Sequence, residues 1–150
     1  MRKKIDNVLE YILIALMSIL VLDVLWQVFS RYILGAPSSF TDELAGYLLI
    51  WVGLLGSAYV AGKNEHLAID LLLQKMTGAK KKRLQLFINM IVAVFALSVM
   101  FIGGTWLVYT RFHLEVSSAA LGLPLGYVYL VLPLSGALII YYAIDNSLSQ

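Results

Sequence analysis

The chain has 150 residues, of which 61% are hydrophobic and 13% charged. Soluble domains average about 45–50% apolar and about 25% charged residues, so a conventional soluble domain is excluded. The net charge of +2 is too small for a nucleic-acid surface, and the absence of cysteine excludes disulfides, thiolate chemistry and Cys-ligated metals.

The first apolar run predicts a spanning helix over residues 5–34. It follows Arg2, Lys3 and Lys4. Between Glu10 and Arg31 its only charge is Asp23. From Lys4 to Arg31 a helix covers roughly 40 Å at about 1.5 Å per residue, the thickness of a bilayer with its headgroups. The basic start and apolar stretch resemble a signal peptide, but the pattern runs on through Trp26 and Phe29, too far for an h-region. A retained signal anchor is expected. Asp23, Gln27 and Arg31 recur every four residues, so they form one polar stripe on the outer half of the helix.

The second helix is predicted over 40–62. Ser39 with Asp42 fits a capping pattern, and Asp42 and Glu43 lie in the first turn, where the helix dipole favours negative charge. Gly46, Gly53, Gly56 and Ala61 supply small-residue patches suited to close helix packing. Residues 66–77 then read as a short amphipathic helix in the membrane interface. His66, Asp70 and Gln74 share one face, while Leu67, Leu71, Leu72, Leu73 and Met76 supply apolar surface. Lys80, Lys81, Lys82 and Arg83 mark the return to the membrane and are candidate lipid-headgroup contacts.

A third span is predicted over 84–110, with Asn89 as its main polar interruption, Gly103-Gly104 as a loosening point and Trp106 and Tyr109 in the aromatic belt. A fourth covers 123–144, with Pro124 at its start and Pro133 predicting a kink. Tyr141 and Tyr142 fall near the interface. No internal repeat is visible. The fold class is therefore an all-α integral membrane protein of four transmembrane helices.

The distribution of Lys and Arg orients it. Three open the chain, and six (Lys63, Lys75, Lys80, Lys81, Lys82, Arg83) lie between the second and third runs. Only Arg31 and Arg111 lie elsewhere. Basic residues in short loops stay cytoplasmic, so both termini are expected in the cytoplasm.

The order of several short motifs resembles a known family. Arg31-Tyr32 and Gly35 are followed by Asp42-Glu43-Leu44-Ala45, then by Trp51, Gly53 and Gly56, then by His66 with Ile69-Asp70. Leu121-Gly122-Leu123-Pro124, Tyr129 and Leu132-Pro133 complete the set. Together they are similar to the small, Q-type (DctQ-like) membrane subunit of tripartite ATP-independent periplasmic (TRAP) transporters. Phe40 stands where many relatives carry Trp. The resemblance implies a bacterial inner-membrane scaffold subunit and no enzyme. It would brace a large M-type permease subunit that takes up an organic anion with sodium, such as a C4-dicarboxylate or sialic acid. A periplasmic substrate-binding protein would deliver that anion. No cofactor is implied.

The residues agree with a brace. A transporter in its own right needs repeats and broken helices near mid-membrane, or a deep ionisable group. Asp23 lies only roughly 12 Å along the helix from Arg31, close to the membrane boundary. The rival is a small proton-coupled exporter acting as a homodimer, with Asp23 as its coupling residue. A haem-carrying subunit would need His pairs inside the spans, and His66 and His113 lie outside them. Arg31 with Asp42 and Glu43 reads either as an ion-pair cluster or as a snorkelling Arg beside two capping acids. Asp23, Gln27, Trp51, His66 and Asp70 are candidate contacts to the partner or between helices. His66 and Asp70 are too few to hold a metal.

Overall fold

The computed structural model describes residues 2–36, 38–63 and 79–148. The interfacial helix expected over 66–77, with His66 and Asp70, lies outside the described residues. Four helices are long and apolar enough to cross a bilayer. They are α1 (Arg2–Tyr32), α2 (Ser39–Lys63), α3 and α4. α3 consists of Ala79–Phe95, a π-helical stretch Ala96–Gly103, and Gly104–His113. α4 is Leu125–Tyr129 followed by Val131–Leu148. Among the described residues there is no strand, only an isolated bridge between Ser117 and Pro124.

Gly35 ends the first turnaround. Its φ of +64° is the left-handed conformation that glycine adopts without steric cost, and the Ala36 N–H reaches back to the Ser30 carbonyl. α2 is capped by Ser38, one residue upstream of the expected Ser39. The Ser38 Oγ accepts the Thr41 N–H at 3.4 Å, and the Thr41 hydroxyl donates to the Ser38 carbonyl at 3.0 Å. Adjacent serines made the position ambiguous, and backbone geometry selects the first.

The helices pack as a layer in the order α1, α2, α4, α3, with no direct packing between α1 and α3. α4 is central: 39% of its most apolar stretch is buried, against 6% for α1. One core cluster joins Ala58 and Ala61 of α2 to Ala96 and Met100 of α3 and Ile139 of α4. A second joins Leu9, Leu55, Val131 and Tyr142.

Close packing falls at glycines of α3 and α4, not at those expected in α2. A Cβ on Gly136 would stand 2.9 Å from the Met100 Cβ and 3.1 Å from the Phe101 nitrogen. One on Gly104 would stand 2.9 Å from the Leu132 Cβ. Gly46, Gly53 and Gly56 have nothing within 4 Å. The π stretch ends at Gly103, so the expected loosening is a change of helical register that runs back to Ala96. α4 breaks at Leu130. Pro133 has no N–H to offer and crowds the carbonyl four residues back, that of Tyr129, at the edge of this break.

Candidate functional site

The polar side chains gather at the two ends of the layer and tie helices together. At the Arg31 end, the Gln27 amide donates to Asp42 at 2.5 Å, joining α1 to α2. Asp42 is an exposed first-turn residue. Glu43, one residue on, points to the α3–α4 loop. Its carboxylate accepts the backbone N–H groups of Ala119 at 3.2 Å, Ala120 at 3.1 Å and Leu121 at 3.3 Å. Successive N–H groups of a turn form a concave anion site, and Glu43 fills it from another helix.

That loop is folded tightly. The Ser118 N–H bonds the Leu123 carbonyl at 2.9 Å and the Leu125 N–H the Val116 carbonyl at 2.9 Å. Glu115 and Gly122 take positive φ within it. The Leu121-Gly122-Leu123-Pro124 motif closes this turn, so its meaning is structural: it supplies the Leu121 N–H and holds the preceding Ala119 and Ala120 N–H groups toward Glu43.

Arg31 forms no ion pair with Asp42 or Glu43. It is exposed, and the acids are engaged elsewhere. Asp23 lies half-buried on the α1 face turned to α2, and one of its carboxylate oxygens is buried without a hydrogen-bond partner among the described residues. The Trp51 indole N–H donates to the Val128 carbonyl at 3.0 Å, bracing α2 against the last turn of α4 before its break. Freed carbonyls in a membrane interior need such substitute donors.

The opposite end carries a network that sequence reading missed. Arg2 was expected only to mark topology. It bonds Asp145 at 2.7 Å, lies 4.0 Å from Asp6 and donates to the Gly62 carbonyl. Tyr142, expected at the interface, is fully buried, and its hydroxyl donates to Asp6 at 2.5 Å. Its ring lies over Gly62, where a Cβ would come within 2.9 Å. The Asn146 amide reaches the Ala61 carbonyl at 3.2 Å. The clues were Arg2 and Asp6 at the start of α1 and Tyr142 and Asp145 toward the end of α4, with the carbonyl of Gly62 contributed by α2.

Arg83 is exposed at the start of the α3 span, and the side chains of Lys80, Lys81 and Lys82 lie outside the described residues. His113 sits in the last turn of α3, stacked on Tyr109 at 5.8 Å. Among the described residues no group of acids and histidines could hold a metal.

What remains uncovered is apolar. Between Leu44 and Gly62 the exposed residues of α2 fall on a single stripe of Gly46, Leu49, Ile50, Gly53, Ser57 and Val60. In α1 only Leu9 and Ser30 are buried, and many large side chains from Tyr11 to Tyr32 are exposed. Such a surface suits lipid or another membrane protein.

Four membrane-length helices, tied at both ends by structural polar contacts and bearing broad uncovered apolar faces, define a polytopic membrane protein. Residues 20–150 match the family described as tripartite ATP-independent periplasmic transporters, DctQ component. The chain belongs to this family, whose members are transporter subunits and not enzymes. It is 26% identical over 137 residues to a TRAP transporter small permease protein of Haemophilus influenzae, covering 90% of this chain and 82% of that one. It is 33% identical over 94 residues to the sialic acid TRAP transporter small permease protein of Vibrio cholerae, covering 63% of this chain and 53% of that one. A 68-residue stretch, 45% of this chain, is 34% identical to a sialic acid TRAP transporter permease protein of H. influenzae, of which it covers 11%. This membership leaves the homodimeric exporter reading without support.

Proposed function

We propose that this chain is the static brace of a sodium-coupled TRAP transporter of the bacterial inner membrane. It packs against a large M-type permease subunit, and a periplasmic binding protein delivers the substrate to the assembled complex. Both of its termini are cytoplasmic. The substrate is a carboxylate, and sialic acid is favoured because two of the relatives are named for it.

The observation that carries this reading is the third relative. A stretch like this chain makes up 11% of a much longer protein that is itself named a permease. A segment joined to its partner in one polypeptide is expected to touch it when the two are separate. The uncovered α1 face and the Gly46–Gly53–Ser57 stripe of α2 supply the surface: small residues let a partner helix approach closely. Asp23 and Arg31 flank that surface, and Lys80, Lys81, Lys82 and Arg83 hold the cytoplasmic lipid headgroups.

The test is uptake by proteoliposomes containing the large subunit, with its binding protein outside and an inward sodium gradient. Sialic acid uptake is expected only when this chain is present. Equal uptake without the chain, or without sodium, would contradict the proposal.

A further inference from the structure

A groove runs along the seam between α3 and α4, on the edge of the layer farthest from α1. It has a volume of about 650 Å³ and is lined by Val99, Gly103, Leu107, Leu114 and Leu132. Arg111 lies at one end of it.

Arg111 is unusual among the described cations. Its Nε is buried and has no hydrogen-bond partner among the described residues. Its guanidinium lies 5.7 Å from the centre of the Tyr129 ring, which holds it in place without neutralising it. Among the described residues no carboxylate comes within ion-pair distance of it. A half-buried guanidinium in such a setting calls for an anion.

The dimensions indicate which anion. From Arg83 to Arg111 the helix covers roughly 42 Å at about 1.5 Å per residue, which spans a bilayer with both headgroup layers. Arg111 is therefore at the level of lipid phosphates. From Val99 to Arg111 is roughly 18 Å, close to one leaflet, whose hydrocarbon is about 15 Å thick. The groove thus begins near mid-membrane, is lined by apolar side chains, and ends at a cation in the phosphate layer. A peptide segment would match the apolar walls but would leave the guanidinium without its counter-charge.

We propose that this seam is a phospholipid site. One acyl chain lies along the groove over Gly103, and the phosphate is held by Arg111. The π-helical stretch Ala96–Gly103 shapes the groove, because its last turn supplies Val99 and Gly103 to the wall.

Native mass spectrometry of the full chain, released from mild detergent, tests this. The wild type is expected to retain one phospholipid. Arg111→Gln is expected to bind it roughly tenfold more weakly, the loss of a hydrogen bond to a charged group. Arg111→Lys keeps a point charge for the phosphate and is expected to retain the lipid. Gly103→Phe fills the groove and leaves Arg111 in place. Its backbone is ordinary helix, with φ −63° and ψ −41°, and a Cβ there would meet only the Ser98 carbonyl, at 3.7 Å. It too is expected to lose the lipid, and it carries the test if Arg111→Gln fails to fold. The proposal is overturned if the wild type retains no phospholipid, or if Gly103→Phe retains as much as the wild type. A co-purifying protein displaced by Gly103→Phe would also overturn it, by showing that the groove holds protein.

Discussion

The Glu43 carboxylate accepts the backbone N–H of Ala120 at 3.1 Å, across 77 positions of sequence. With the flanking N–H groups of Ala119 and Leu121, this contact fixes the α3–α4 loop to the first turn of α2. The acidic pair therefore divides its work: Asp42 ties α2 to α1 through Gln27, and Glu43 ties α2 to the loop leading into α4.

Replacing Glu43 with Ala is expected to release that loop. Hydrogen exchange at the amides of Ala119, Ala120 and Leu121 should accelerate markedly, while amides within α1 keep their protection. Unchanged exchange at those three positions would refute the anchoring role.

The Gln27–Asp42 bond predicts a modest coupling. Interhelical hydrogen bonds of this kind are worth about 0.6 kcal/mol and at most about 1.7 kcal/mol. A double-mutant cycle of Gln27→Ala and Asp42→Ala, read by thermal unfolding in detergent, should return a coupling in that range. Additive effects would show that the pair does not join α1 to α2.

Trp51→Phe keeps an aromatic ring, though a smaller one, and removes the N–H that Val128 receives. A cost of about 0.5–1.5 kcal/mol is expected. Faster exchange in the Leu125–Tyr129 turn would accompany it. A variant as stable as the wild type, with the same exchange, would mean that the broken carbonyls of α4 are satisfied in another way.

Two glycines separate folding from docking. Gly136→Ala drives a methyl against Met100 and the Phe101 backbone, and overpacking of this kind costs about 1–3 kcal/mol. Gly53→Ala meets nothing within 4 Å and is expected to leave the isolated chain as stable as before. Comparison of the two melting temperatures checks this. Equal destabilisation by both would contradict the assigned packing.

The four spans were legible because long uncharged runs have few other solutions in a chain this apolar. The capping serine was off by one because Ser38 and Ser39 are chemically alike. The π-helical stretch was hidden, since a helix that is apolar on all sides has no periodicity from which to read a register change. Gly136 and Gly53 look equivalent in sequence, and only the position of Met100 distinguishes them. The Glu43 contact was out of reach because its partners are backbone N–H groups, which every residue type but proline carries. Arg2 was read for its charge alone, and its partners Gly62 and Asp145 are contributed by two other helices.

The central claim is that the uncovered α1 and α2 surface binds a large permease subunit. It is tested most directly by a pull-down of the tagged chain from its native membrane, alongside Gly53→Leu. The account predicts one larger polytopic protein in stoichiometric amount with the wild type, and its loss with Gly53→Leu while the chain itself stays folded. A homodimer with no larger companion, or an equal yield of the companion from both chains, would contradict it.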